Sequence, residues 1–167
     1  MRRLLIGWLL GALVVSLSAC GGSGGDSASE QTLQRKADFW EIDQIERKFH
    51  EATTKKDIDL MMRLFSPNAT LTVGGGRTAA GKQQIRQYFL TKSKFFKPTN
   101  HWISDHPAYK LRITVNGDRG TLHFECHYVD AKKKKVVVVV AADQEVARID
   151  GRWLITDMVG GSTTLRA

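Results

Sequence analysis

The stretch from residue 119 to residue 159 decides the fold, and it reads RGTLHFECHYVDAKKKKVVVVVAADQEVARIDGRWLITDMV. Its apolar residues alternate or run continuously, and short segments containing Asp, Gly and Lys interrupt them. Alternation with a period of two is typical of half-buried strands, and an Asp-Gly pair favours a tight hairpin turn. The pattern predicts an antiparallel meander with strands over residues 119–130, 134–149 and 152–159.

The chain before this meander predicts mainly helices. The first covers about residues 33–53, because its apolar residues recur at spacings of three and four. Asp57 is suited to cap a short second helix, which residues 66–68 end, and Gly81 opens a third helix. The apolar stripe of the first helix consists of Ile42, Ile45, Phe49 and Ala52.

Two further strands are expected. One is short, over residues 69–73, and the other covers residues 100–115, bends at Pro107 and is the first strand of the meander. Helices grouped before strands indicate an α+β domain rather than a βαβ-wound one. We therefore expect three N-terminal helices packed on one face of a curved antiparallel sheet.

The five consecutive valines at residues 136–140 suggest contact with a second copy of the chain. Such a strand is apolar on both faces, and the predicted helices can cover only one of them. A homodimer through the sheet would cover the other face, with either Val137 and Val139 or the remaining three valines outward. The alternative is a central strand that its own neighbours shield.

The N-terminus predicts a lipid anchor. Two arginines precede an apolar run over residues 4–17 that is too short to span a bilayer stably, and this layout is typical of a signal peptide over residues 1–19. Leu17-Ser18-Ala19-Cys20 resembles the lipobox of bacterial lipoproteins. The resemblance implies that the Cys20 thiol receives a diacylglyceryl group with palmitate-type chains, although an ordinary secretory signal is the alternative.

The remaining composition limits the domain plan and the partners. Residues 20–32 are rich in Gly and Ser and predict a flexible tether, which leaves one domain over residues 33–167. Cys126 has no disulfide partner once Cys20 is acylated, and its apolar surroundings predict a buried thiol. The net charge of +8 comes without a nucleic-acid-binding motif, so we expect solubility or attraction to anionic lipid and no nucleic acid.

Six short motifs, which together extend over nearly the whole domain, carry a family resemblance. In their identity and order the chain resembles the nuclear transport factor 2-like superfamily, in particular its SnoaL-like branch. The resemblance implies a cone-shaped fold that encloses a pocket, frequent dimers, and functions that range from isomerases and dehydratases to modules that only bind. The motifs are IERKFHEA (45–52), KDIDLM (56–61), LFSPNA (64–69), GKQQIRQYF (81–89), VNGDRG (115–120) and RIDGRWLI (148–155).

The resemblance also implies candidate site residues. Many SnoaL-like members carry a His and, four residues later, an Asn in the strand after the third helix. His101 matches the first, and Asp105 stands in place of the second. Residues four apart on a strand share a face, so the two could form an acid/base pair, or simply a polar strand face. The aromatic candidates for lining the pocket are Trp40, Tyr88, Trp102 and Tyr128.

No metal or other cofactor is expected. His123, Glu125 and His127 alternate on one strand and could bind zinc, but their apolar neighbours should face the helices and leave this set outside. The chain is therefore expected to be an extracytoplasmic, membrane-anchored module that binds a small apolar ligand or assembles, rather than an enzyme. The alternative is a small cofactor-independent lyase or isomerase that uses His101 and Asp105.

Overall fold

A computed structural model describes residues 24–74, 76–104 and 108–164 of the chain. The predicted signal segment, Cys20 and Asp105 lie outside these ranges. In chain order the helices and strands are α1 (Gly24–Lys55), α2 (Ile58–Arg63), β1 (Phe65–Val73), β2 (Arg77–Ala80), α3 (Lys82–Thr91), β3 (Trp102–Ser104), β4 (Lys110–Asn116), β5 (Arg119–Asp130), β6 (Lys135–Ile149) and β7 (Arg152–Thr164). A 3₁₀ turn, Lys94–Phe96, follows α3.

The described strands form one seven-stranded sheet in the order β2-β1-β7-β6-β5-β3, with β4 also paired to β5. Strands β4 to β7 form the predicted antiparallel meander. However, β1 runs parallel to β7, so the prediction of a wholly antiparallel sheet is wrong. The cause is the path of the chain, because α2 delivers it beside β7, where the Ile155 amide donates to the Leu64 carbonyl at 2.8 Å.

The first helix is longer than predicted. It begins at Gly24, so residues 24–32 are helical in the structure, where the sequence suggested a flexible tether. The side chains of residues 27–36 are exposed, and this segment contains Ala, Glu, Gln, Lys and Arg, which favour a helix without tertiary contacts. The predicted apolar stripe is buried, with Ile42 and Ala52 fully enclosed. None of the described helices has the length and apolar character needed to span a membrane.

The short second helix and the strand after it differ in how well the sequence predicted them. Asp57 caps α2 as predicted, since its side chain accepts the Leu60 amide at 2.8 Å. The expected stop at residues 66–68 is wrong, because these residues already belong to β1. The pairing of β1 with β7 is irregular between Phe65 and Thr70, and that interval accommodates Pro67, which has no amide hydrogen to donate.

Strand order differs from the prediction at two further places. The short strand expected before α3 is the longer β1, and the unpredicted β2 follows it and forms a hairpin with it. The single strand expected over residues 100–115 is two strands, β3 and β4. Both lie along β5, β3 opposite its last residues and β4 opposite its first ones. Pro107, where a bend was expected, lies outside the described residues.

A bulge explains why the valine run does not alternate. Tyr128 is opposite Val138 and Val129 is opposite Val136, so Val137 has no partner on β5. From Val138 onward the strand alternates, with Val138 and Val140 buried against the helices and Val139 on the outer face. Val137 is the extra residue of the bulge, and it interrupts the alternation of side chains between the two faces. Five consecutive valines therefore do not require that both faces of the strand are fully buried.

Candidate functional site

A cavity of about 330 Å³ lies between the helices and the inner face of the sheet. Its walls come from α1, α3, β1, β5, β6 and β7, because each element turns one apolar face toward the others. A volume of this order is typical of pockets for small molecules. The apolar lining consists of Phe49, Leu71, Val73, Phe89, Phe95, Val140 and Met158.

A buried hydrogen-bonded cluster forms the polar part of the wall. The Tyr128 hydroxyl lies 2.9 Å from Thr53 Oγ1 and 3.4 Å from Nδ1 of His50. Thr53 Oγ1 donates to the His50 carbonyl at 2.9 Å, so its proton is used there, and Tyr128 donates to Thr53. Tyr128 and Thr53 both line the cavity, while His50 lies behind them.

Glu46 extends this cluster deeper into the core. Its Oε1 lies 3.1 Å from His50 Nε2, and both side chains are 1% exposed. The same Oε1 accepts the Ala108 amide at 3.2 Å, and the Cys126 thiol lies 3.8 Å from His50 Nδ1. The carboxylate, imidazole and phenol thus form a continuous chain from the core to the cavity wall, and such a chain can hold or move a proton.

This cluster was not predicted, although the sequence contains a signal for it. Glu46 and His50 are one helical turn apart and fall beside the apolar stripe of α1, where a solvated charge is not expected. Buried ionisable groups are rare unless they are paired, so a carboxylate and an imidazole at this spacing indicate a buried pair.

The residues proposed from the sequence are dispersed in the structure. Tyr88 and Tyr128 line the cavity. Trp102 packs edge to face on Phe95, with ring centroids 5.6 Å apart, and does not line it. Trp40 is 63% exposed in a different groove, beside the turn between β6 and β7. His101 is exposed ahead of β3, and its carbonyl accepts the Ala131 amide at 3.0 Å.

The His-Glu-His set of β5 lies on the outer face of the sheet, as the alternation predicted. His123 lies between Asp143, at 2.7 Å, and Glu125, at 3.2 Å. Glu125 also accepts from Lys110 at 2.5 Å, and the hydrogen bonds from Lys110 and then His123 lower its pKa to about 2. His127 stacks on Tyr109 instead. Within the described ranges, no three His, Cys or acidic side chains converge to hold a metal ion.

These features define an α+β protein with an apolar cavity between a helical layer and a mixed sheet. Residues 34–159 match the family model of the SnoaL-like domain, and the chain belongs to this family, as its motifs predicted. No curated protein sequence matches the chain.

Solved structures share the fold at low sequence identity. An NTF2-like protein with a cystatin-like fold from Novosphingobium aromaticivorans is 16% identical, with a TM-score of 0.67, over 84% of this chain and 91% of that one. Hexachlorocyclohexane dehydrochlorinase LinA-type3 from Novosphingobium barchaimii LL02 is 18% identical, with a TM-score of 0.65, over 81% and 95%. These similarities establish the nuclear transport factor 2-like fold and nothing about activity.

Proposed function

We propose that this chain is a lipid-anchored lipoprotein of the bacterial envelope whose SnoaL-like domain binds a small, largely apolar ligand outside the cytoplasm. The cavity carries the proposal. It is walled mainly by apolar side chains, and two of its polar groups, Thr53 and Tyr128, are held in place by hydrogen bonds, as in pockets that recognise small molecules. In this proposal the cavity is the internal pocket that the family resemblance implies, and the hydrogen-bonded Tyr128 and Thr53 orient a polar group of the ligand.

Two adjacent glycines of β7 allow a matched test. Gly160 is opposite the buried Ala142, so a side chain there would point into the cavity, and its Cβ would lie 3.5 Å from Met158 Cε, an ordinary contact. Gly161 also borders the cavity, but it is opposite the exposed Ala141, so a side chain there would point to the outer face, and its Cβ would meet nothing within 4 Å. Gly160→Leu should therefore fill the cavity, and Gly161→Leu should leave it open.

The experiment is native mass spectrometry of the mature protein extracted from the membranes of its own host. We expect a bound small molecule on the wild type and on Gly161→Leu, and its loss from Gly160→Leu. The same ligand occupancy in both variants, with both folded, would show that the cavity is not the binding site. A wild type that carries no ligand under any extraction condition would contradict the proposal itself.

The anchor is tested independently of the cavity. The proposal rests on the lipobox-like Leu17-Ser18-Ala19-Cys20, which follows a typical signal layout. Intact-mass measurement of the membrane-bound protein should give a chain that begins at Cys20 and carries two or three acyl chains, enough for stable anchoring. The Cys20→Ser variant should carry none. A wild-type chain that begins elsewhere, or an unmodified Cys20, would overturn this part of the proposal.

A second candidate function is a cofactor-independent lyase or isomerase. One observation favours it: the Tyr128 hydroxyl at the cavity wall lies 3.4 Å from His50 Nδ1, and His50 Nε2 lies 3.1 Å from the buried Glu46 carboxylate. Tyr128 thus stands at the cavity wall with an imidazole and a carboxylate behind it, whereas His101 lies outside the cavity. The similarity to a solved structure that is named a dehydrochlorinase supports this candidate only by analogy, because it is a similarity of fold.

Turnover would separate the two candidates. The ligand released from the wild type, or its close structural analogues, should be incubated with wild type and with Tyr128→Phe, and the products followed by chromatography and mass. Conversion by the wild type that is lost in Tyr128→Phe, while binding is retained, would support the enzyme. Unchanged ligand in every sample would leave binding as the function.

A further inference from the structure

The charge at the cavity has one sign. Among the described residues that line it, Lys92 is the only cation, and no carboxylate lines it. Lys92 directly follows α3, next to the buried Ser93, and its side chain is exposed. Within the part of the chain that the structure describes, no acidic side chain forms an ion pair with Lys92, whereas Arg86 on α3 contacts Asp59 at 2.6 Å. A ligand at this position therefore meets a positive charge that no described carboxylate neutralises.

The segment around Lys92 adds further positive charge beside the cavity. Residues 82–104 contain no Asp or Glu, and Lys94 and Lys97 follow Lys92 closely, both exposed. A group of like charges beside an apolar cavity raises the local concentration of ligands of the opposite sign and disfavours cations. Only Lys92 of the three lines the cavity, so one negative group can be paired there and further ones would remain in solvent.

We propose that the ligand of this cavity is an amphipathic monoanion, an apolar aliphatic or aromatic body that carries one carboxylate. This inference rests on the proposed function, because it assumes that the cavity binds a ligand. The apolar body lies against Phe49, Leu71 and Met158, and the carboxylate lies at Lys92 in contact with water. A carboxylate there keeps most of its hydration and gains the ammonium partner, so it avoids the cost of burying a charge.

The test compares two probes that differ only in charge. Naphthalene-2-carboxylate and naphthalene-2-carboxamide have nearly the same shape, but at pH 7 the carboxylate is an anion and the carboxamide is neutral. Their binding to the mature lipoprotein in lipid nanodiscs is measured by titration calorimetry, with empty nanodiscs as the background. We expect the wild type to prefer the carboxylate, and this preference to decrease as salt concentration rises.

Three variants locate the effect. Lys92→Gln should weaken carboxylate binding about five-fold, as expected for one partly exposed ion pair, and leave carboxamide binding unchanged. Lys94→Gln removes the same charge from a neighbouring exposed residue that does not line the cavity, and it should change either probe less than two-fold. Gly160→Leu should abolish the binding of both probes.

The outcomes separate this inference from the proposed function. Suppose that Gly160→Leu abolishes the binding of both probes. Equal binding of the two probes to the wild type, or equal effects of Lys92→Gln and Lys94→Gln, would then overturn the inference that the ligand is an anion but leave the cavity as the binding site. If Gly160→Leu left both probes bound, the cavity itself would be excluded, and with it the proposed function. Binding of the carboxylate that depends on both Lys92 and Gly160 would support both.

Discussion

His50 follows Glu46 by one helical turn on α1, and its Nε2 lies 3.1 Å from Oε1 of that carboxylate. Both side chains are buried in the core, so the contact between them is shielded from water. The pair therefore behaves as one unit whose members stabilise each other, and it supports the Tyr128 hydroxyl at the cavity wall.

Removing the carboxylate should destabilise the domain strongly. Glu46→Ala leaves the His50 imidazole buried without its acidic partner, and we expect the free energy of unfolding to decrease by about 3 kcal/mol. Glu51→Ala is the control, because Glu51 lies on the exposed side of α1 and pairs with Lys55, so its loss should cost less than about 0.5 kcal/mol. Urea titration measures both. Equal, small effects would show that the buried pair contributes little.

A second buried carboxylate should make stability depend on pH. Asp38 is 5% exposed and accepts hydrogen bonds from Arg148, from Gln34 at 2.9 Å and from Trp153 at 3.4 Å. Burial by itself would raise its pKa, but the hydrogen bonds, Arg148 first, together lower it below the ordinary value. Because the folded-state pKa is depressed, the stabilisation is present above the unfolded pKa, near 4, and is lost as the pH falls through the folded value.

The measurement is a urea titration at several pH values. Asp38→Asn should cost about 2 kcal/mol at pH 7, and the difference from the wild type should shrink steadily below pH 4. Asp59→Asn, which removes an exposed carboxylate that contacts Arg86, should show almost no difference at any pH. A difference for Asp38→Asn that does not change between pH 7 and pH 3 would rule out this linkage.

Gly120 is required by the close approach of two strands. It begins β5 next to the β4–β5 turn, and a Cβ there would collide with the Thr114 carbonyl oxygen and press on Ile42 and Val146, each 3.3 Å away. Gly120→Ala should therefore lower the free energy of unfolding by about 3 kcal/mol, since backbone atoms cannot move aside easily. Gly161→Ala has open space around its Cβ and should change stability little. Thermal unfolding of both variants tests the difference.

The outer face of the sheet remains our proposed dimer interface. Val139, Ala141 and the 49% exposed Val159 are among its apolar residues, beside the polar group around His123. Val138→Lys should unfold the domain, because Val138 is 1% exposed in the core. Val139→Lys should stay folded and become monomeric, because its charge would meet a copy of itself across the two-fold axis.

Sedimentation equilibrium of the wild type comes first in this test. A dimer at micromolar concentration is expected, and Val139→Lys should then give the mass of a single chain. A wild type that sediments as a monomer at high concentration would remove the dimer, and the valine run would be fully explained by the bulge at Val137 and by its central position in the sheet.

The sequence alone predicted the features that depend on neighbouring residues. The stripe of α1, the Asp57 cap and the turns at Gly117 and at Asp150-Gly151, where the backbone takes positive φ, follow from local spacing and residue type. Strand alternation likewise predicted that Cys126 is buried and that His123 faces outward. The family motifs extended these local signals to the whole domain.

Only the tertiary structure decided which distant groups meet. The parallel pairing of β1 with β7 and the contact between His50 and Tyr128 each join segments more than 70 residues apart. No local pattern specifies such a partner, because a buried hydroxyl can hydrogen-bond, and a strand edge can pair, with any suitable group that tertiary packing brings next to it. The same reason separates His101 from the cavity and brings Tyr128 to its wall, with His50 and Glu46 behind it. Local chemistry determined the elements, and the packing of helices on a mixed sheet determined the site.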